Sequence, residues 1–316
     1  MIVVTGATGF VGQKIVKRLL ANGRQVRCFL AENKPINKTL WDPMPEIITG
    51  SLLDEELLFK TVTGADTIIH LENALWWGRT RDLERVELVG TRNLVAAARS
   101  ARVGRIITLS HLGASLSSAF TLLRIKGMVE ETVRTSGLAY TIIRSGILFG
   151  ADDAFVNHLA MMLKVSPVFF FMPGRGEVVL HPLYIDDLVE AIFRSLEAID
   201  TVDTTLDVGG PEYITLEDMV YTVMRVTDTP RFVLPVPPYI LRWISGLYGR
   251  ILPRSLMTSQ WFDIIATNRT APLGNMYNYF RIHPKRFEDT LLTYMPEKRY
   301  LWPMFRYSFR RRPRSI

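Results

Sequence analysis

Gly6, Gly9 and Gly12 stand at intervals of three, directly behind a short apolar run at 1–5. Directly ahead lies a segment in which Val11, Ile15, Leu19 and Leu20 share one helical face. A strand that turns sharply into a helix through such glycines has a specific chemistry. Gly6 permits the tight turn, Gly9 lets backbone approach a pyrophosphate, and Gly12 lets the helix pack closely on the strand. The exposed N–H groups and the positive end of the helix can then hold phosphate without a metal. We therefore read the segment as a nucleotide-binding turn that opens an α/β fold.

The rest of the first half repeats the alternation. Short apolar strands are predicted at 25–30, 46–49, 67–71, 105–109 and 139–144, with helices between several of them, notably at 81–100 and 121–136. The economical fold is a Rossmann-like parallel sheet covered by helices, with a smaller C-terminal α/β lobe. The principal nucleotide-binding region is assigned to 1–150, and the smaller lobe to 151–295, with segments that return to the sheet. Helices in this second part are predicted at 153–163, 216–226 and 239–251. A basic, aromatic arm occupies 296–316. A chain of 316 residues is long enough for this arrangement without disulfide or metal support. Its single cysteine, Cys28, leaves no cluster for zinc or iron-sulfur ligation, and a reducing compartment is the default. No secretory signal is read at Met1, and no apolar run is a convincing membrane span.

The formal charge is +7 and its position is informative. From Arg281 onward there are ten Lys or Arg and three Asp or Glu, so the first 280 residues are formally neutral. A neutral body with a basic tail argues against a nucleic-acid surface and for a local contact with acidic protein or anionic lipid.

The string Thr5-Gly6-Ala7-Thr8-Gly9-Phe10-Val11-Gly12 resembles the extended or atypical short-chain dehydrogenase/reductases. Arg144-Ser145-Gly146-Ile147-Leu148-Phe149-Gly150 continues the likeness, as does His181-Pro182-Leu183-Tyr184-Ile185-Asp186-Asp187-Leu188, and it extends over about residues 1–295. Within that superfamily the chain is most similar to the group holding the nucleotide-binding accessory subunit of respiratory complex I and its bacterial relatives. The resemblance implies a dinucleotide held by Gly6, Thr8, Gly9, Phe10, Val11 and Gly12, with Ala31, Ser51, Leu71, Asn73, Ser110 and Lys126 along its length. It favours NADPH, while NADH or NAD stays compatible with the residues. Ala31 stands where NADPH-preferring relatives often carry arginine, Ser51 where many carry an adenine-contacting aspartate, and Glu32 and Lys34 follow the second strand.

The family also implies a serine at a strand end and a Tyr-x-x-x-Lys pair, in which Tyr moves the proton and Lys lowers its pKa. Ser110 and Lys126 match, but the residue four before Lys126 is Leu122, which cannot transfer a proton. Standard catalysis is therefore not expected. Tyr184 is a weak substitute candidate, and Ser110 followed by His111 is compatible either with proton chemistry or with plain strand-end packing. Glu72 is read as a solvent-facing loop carboxylate in preference to a buried acid with a raised pKa, and Trp76-Trp77 as packing against the second lobe in preference to a cover for an apolar ligand. Asp186-Asp187 is read as the cap of a helix that begins near Leu188, with no metal site among the histidines.

The leading expectation is an NAD(P)H-binding accessory or assembly subunit. It would be peripheral, on the cytoplasmic side of a membrane, and partnered by the subunits of a respiratory NADH dehydrogenase-like complex. The arm Tyr300-Leu301-Trp302-Pro303-Met304-Phe305-Arg306-Tyr307-Ser308-Phe309, followed by arginines, suits anionic headgroups or a protein partner. Two alternatives stay open: an oxidoreductase with an atypical proton donor, and a nucleotide-responsive membrane adaptor.

Overall fold

The computed structural model describes residues 1–31, 40–74, 79–296 and 298–310. Strands β1 (Ile2–Thr5), β2 (Val26–Ala31), β3 (Glu46–Gly50), β4 (Thr67–His70), β5 (Arg105–His111) and β6 (Ala139–Ser145) join Thr204–Val208 in one seven-stranded sheet. From one edge the order is Thr204–Val208, β6, β5, β4, β1, β2, β3, and every neighbouring pair is parallel. The paired isoleucines of the central strands, Ile68-Ile69, Ile106-Ile107 and Ile142-Ile143, are buried on both faces, as parallel strands sandwiched by helices require.

Helix α1 (Phe10–Ala21) and the helix Ile185–Ser195 cover one face through Ile15, Val16, Leu19, Leu188 and Ile192. The helices Glu55–Val62, Gly90–Ser100 and Thr121–Arg134 cover the other through Leu58, Leu94, Ala98 and Val133. A second core joins Leu122 and Ile125 to Phe155, Leu163, Met219, Trp261 and Leu291 from the later helices, with the Phe155 and Trp261 rings stacked at 5.0 Å. The fold is thus a Rossmann-like sheet with a smaller C-terminal α/β lobe. The lobe returns the strand Thr204–Val208 to the sheet edge beside β6.

Two predicted helices differ in detail. The segment read as one helix at 81–100 is a short helical turn Thr80–Asp82, a π-helical stretch Leu83–Val89 and the helix Gly90–Ser100. At the seam the Thr91 hydroxyl donates to the Glu87 carbonyl. Further on, the helix expected from 153 begins at Phe155 behind Ala154 at its N-cap, and the Asp153 carboxylate, one residue earlier, accepts the N–H groups of Val156 at 2.6 Å and Asn157 at 3.4 Å in the first turn.

Candidate functional site

A cleft of about 290 Å³ opens at the carboxyl ends of β1, β4, β5 and β6, where the strand order reverses. Its floor is the turn after β1. Gly6 has φ +68° and Gly9 N donates to Gly6 O at 2.9 Å, closing the turn. The first bond of α1 runs from Gln13 N to Gly9 O at 3.1 Å, so the N–H groups of Phe10, Val11 and Gly12 precede it and have no earlier carbonyl in their own helix. Gly9, at the N-cap, brings no side chain to satisfy them. The result is a ready anion cradle.

Below the turn, His70 at the end of β4 is clamped between Thr5 Oγ1 at 2.7 Å and Thr91 Oγ1 at 2.9 Å. Burial, with the Lys126 charge adding to it, pushes its pKa down to about 3 and keeps the ring neutral. The neutral ring ties β1, β4 and the helix Gly90–Ser100 together.

At the other end of the cleft stand Ser110, His111 and Lys126. Lys126 is 4% exposed, and its Nζ lies 2.5 Å from Glu87 Oε2, while Glu87 Oε1 accepts Ala74 N at 3.0 Å. Glu87, on the π-helical stretch, was not foreseen from sequence: 39 positions separate it from Lys126, and no local pattern links them. Ser110 Oγ is buried and has no hydrogen-bond partner among the described residues. His111 is held neutral, its pKa lowered to about 3 by burial and then by the Lys126 and Arg269 charges. The position of the expected tyrosine is filled by Leu122, fully buried in the second core, with its N–H donated to Asp263 Oδ2 at 3.3 Å.

The other candidate residues fall in several places. Gly6, Gly9, Phe10, Val11, Gly12, Leu71, Asn73, Ser110 and Lys126 all line the cleft. Thr8, Ala31 and Ser51 do not. The Thr8 carbonyl accepts Gln13 Nε2 at 2.8 Å, Ala31 pairs in register with Gly50 at the ends of β2 and β3, and Ser51 Oγ accepts Leu53 N at 3.1 Å. Tyr184 also lies outside the lining. Its ring packs on Phe149 at 5.5 Å and beneath Lys285 Nζ at 5.0 Å, and its pKa is pushed up to about 12 by burial and then by Asp186, which makes it a poor proton donor.

Glu72 corrects the sequence reading, since it is buried at 9% exposure and lines the cleft rather than facing solvent. The acidic pair is corrected as well. The helix starts at Ile185, so Asp186 and Asp187 sit in its first turn, where Asp186 pairs with Lys14 at 2.6 Å and Asp187 accepts Lys285 N at 2.8 Å. They still complement the helix dipole. Asp153, which was not foreseen, lines the cleft with its pKa raised to about 7 by burial, against the opposing hydrogen bonds from Val156, Gly150 and Asn157. Glu32, Lys34, Trp76, Trp77 and the arginines at 311, 312 and 314 lie outside the described residues.

These shifts predict an acid-sensitive fold. The folded-state pKa values of His70, His111 and His158 lie at about 3, 3 and 4, below the ordinary 6.5. Their stability contribution is complete above pH 6.5 and is lost as the pH falls towards those values. Between about pH 7.5 and 5.5 the three together cost about 4 kcal/mol, and protonation of Asp153, whose folded pKa is raised, offsets about 2. Denaturant unfolding at the two pH values should register the net loss. The ring protons of these three histidines should show no titration above pH 5 by NMR, and a midpoint near 6.5 would overturn the assignment.

An NAD(P) dinucleotide fits this cleft, which among the described residues has backbone donors without partners at one end and an unpartnered buried hydroxyl beside an ammonium at the other. Comparison with known proteins agrees. A family model described as NAD(P)H-binding matches residues 6–159. The photosystem II assembly factor Ycf39 of Cyanophora paradoxa is 35% identical over 241 residues, 75% of this chain and 71% of that protein. The chain belongs to the NAD(P)-binding, short-chain dehydrogenase/reductase-like family.

Within the family it is related to subunit 9 of the mitochondrial NADH dehydrogenase [ubiquinone] 1 alpha subcomplex of Rattus norvegicus, at 30% identity over 256 residues and 78% of this chain. The chain spans 66% of that subunit's length, just under two thirds. A ceramide reductase of Caulobacter vibrioides is 27% identical over 288 residues, 87% of this chain and 88% of the enzyme. The fold is shared with a UDP-glucose 4-epimerase of Thermus thermophilus solved in complex with NAD, with a TM-score of 0.69, 18% identity, and 93% and 97% of the two chains covered. Among the described residues no helix is long and apolar enough to cross a membrane.

Proposed function

We propose that this family member holds NAD(P) as a resident group and serves as an accessory or assembly subunit of a membrane-attached NADH dehydrogenase-like complex, without the standard short-chain proton relay. The observation that carries this reading is Leu122. One turn before the lysine, where the relay needs an ionisable hydroxyl, there is a fully buried alkyl group packed into the second core. When bound, NAD(P) supplies a hydride donor or acceptor at its nicotinamide. The backbone N–H groups of Phe10 and Val11 would hold its pyrophosphate, and Ser110 and Lys126 would orient the nicotinamide end. Glu87 would fix the lysine without drawing a proton from substrate. The relatives named as a dehydrogenase subunit and as an assembly factor support the assembly role.

A second reading is favoured by a different observation. The ceramide reductase is matched over 88% of its length, whereas the rat subunit is matched over 66%. The broader likeness to an enzyme supports an oxidoreductase acting on an organic carbonyl or alcohol, with a proton donor other than residue 122. The cofactor is NAD(P) in either case, and the resemblance to NADPH-preferring relatives motivates testing NADPH first.

Mild purification of the native protein, with mass spectrometry of its partners and bound nucleotide, separates the readings. Stoichiometric NAD(P)(H) together with respiratory subunits is the result expected. A partner-free protein that oxidises NAD(P)H only when a carbonyl substrate is added, and loses that turnover in Ser110→Ala, would establish the enzyme instead.

A further inference from the structure

The helix Pro238–Ile251 buries only Leu241 and Ser245. Tyr239, Trp243, Leu247 and Ile251 recur every four residues and are all exposed, Tyr239 and Trp243 at more than 70%. They form an apolar stripe on its outer side, and no residue of this helix is acidic. The strand Phe232–Val236 runs into the helix through Pro237 and pairs with Phe169–Pro173. In that register exposed Phe232 lies opposite exposed Phe169, and exposed Leu234 opposite exposed Phe171. At the other end Arg254 N donates to Ser308 O at 3.2 Å, which joins the helix Leu301–Ser308 with its exposed Trp302 and Phe305.

Exposed Asp228 and Glu177 flank the paired strands, but the chain that builds the rest of this border is predominantly basic. From Thr229 to Phe287 the sole acidic residue is Asp263, which is buried and paired with Arg242. Arg250 is exposed beside the stripe, and Arg306 and Arg310, on and just after the helix Leu301–Ser308, are exposed as well.

We propose that the helix Pro238–Ile251, with the paired strands and the helix Leu301–Ser308, is an interfacial docking face for a bilayer containing anionic phospholipid. Exposed Trp, Tyr and Phe suit the headgroup boundary, and arginines beside them meet lipid phosphates. The helix is about 21 Å long, too short to span a hydrocarbon core of about 30 Å, so it lies in the interface plane. A second copy of this chain would bring arginine against arginine across the same face, which disfavours a dimer there. The inference goes beyond the reading of the cleft and is independent of whether the nucleotide turns over.

The test is flotation of the full chain with phosphatidylcholine vesicles, with and without phosphatidylglycerol. Association only with the phosphatidylglycerol vesicles, weakened by high salt, is expected. Trp243→Glu with Leu247→Glu should reduce it about a hundredfold or more, and Arg250→Glu by about fivefold or more, with melting temperature and nucleotide retention unchanged. Failure to float with the anionic vesicles, or binding unaffected by Trp243→Glu with Leu247→Glu, overturns the proposal. A dimer that these substitutions dissociate, in a chain that does not float, assigns the face to a second copy instead.

Discussion

Gly9→Val is expected to reduce NAD(P) affinity about a hundredfold or more while the protein stays folded. A side chain at Gly9 projects into the open mouth of the cleft, where its nearest neighbour would be Gly6 O at 3.1 Å, so the turn need give only slightly. The added methyls would occupy the volume through which a pyrophosphate reaches the N–H groups of Phe10 and Val11. Losing two charge-assisted hydrogen bonds of about 1.5–3 kcal/mol each accounts for the drop. Gly12→Val should behave differently. A Cβ there would overlap Gly6 O and stand 2.7 Å from Ala7 Cα, both backbone, so α1 would have to lift from β1. We expect a loss of about 3 kcal/mol or more in stability, visible without any ligand. Calorimetric titration with NADPH and NADH, alongside thermal melts, distinguishes the two. Undiminished affinity in a folded Gly9→Val protein would remove the pyrophosphate from this turn. A ligand that binds only the native state also stabilises it, by about 2.7 kcal/mol at one hundred times its dissociation constant, so the parent should melt higher with nucleotide and the Gly9 variant should not.

Lys126→Met carries the other large effect. The ammonium and Glu87 are both almost fully buried, and removing one partner strands a carboxylate that retains only the Ala74 N–H. Breaking such a pair costs about 3–5 kcal/mol. Adding Glu87→Gln removes the stranded charge and keeps an acceptor for Ala74, so the double variant should recover most of that stability. It should not recover nucleotide affinity, because the group proposed to orient the nicotinamide end is still missing. Full recovery of both would make the pair purely structural. Unchanged stability in Lys126→Met alone would mean that the ion pair is not formed in solution.

Much of the fold was legible in the sequence because it is written in local periodicity. The strands of the first half and the helix Leu216–Val226 follow directly from apolar spacing, and the glycine turn is recognisable because each glycine answers a steric demand within seven residues of chain. Gly6, Gly9 and Gly12 do come together with Ser110 and Lys126 in one cleft, because parallel strands carry their carboxyl ends to the same edge of the sheet. The π-helical turn at Leu83–Val89 was not legible, since its residues have the periodicity of an ordinary helix.

The sequence by itself determined the glycine turn between the first strand and helix, the parallel α/β plan and the leucine that stands four residues before Lys126. All three depend on residues adjacent in the chain or one helical turn apart. Tertiary structure alone decided that Glu87 holds Lys126, that Glu72 and Asp153 are buried at the cleft, that Tyr184 lies outside it, and that an apolar stripe on Pro238–Ile251 faces outward. Each of these is a matter of burial or of contact between distant segments. Hydrophobic spacing marks an apolar helical face but does not say whether other parts of the chain cover it.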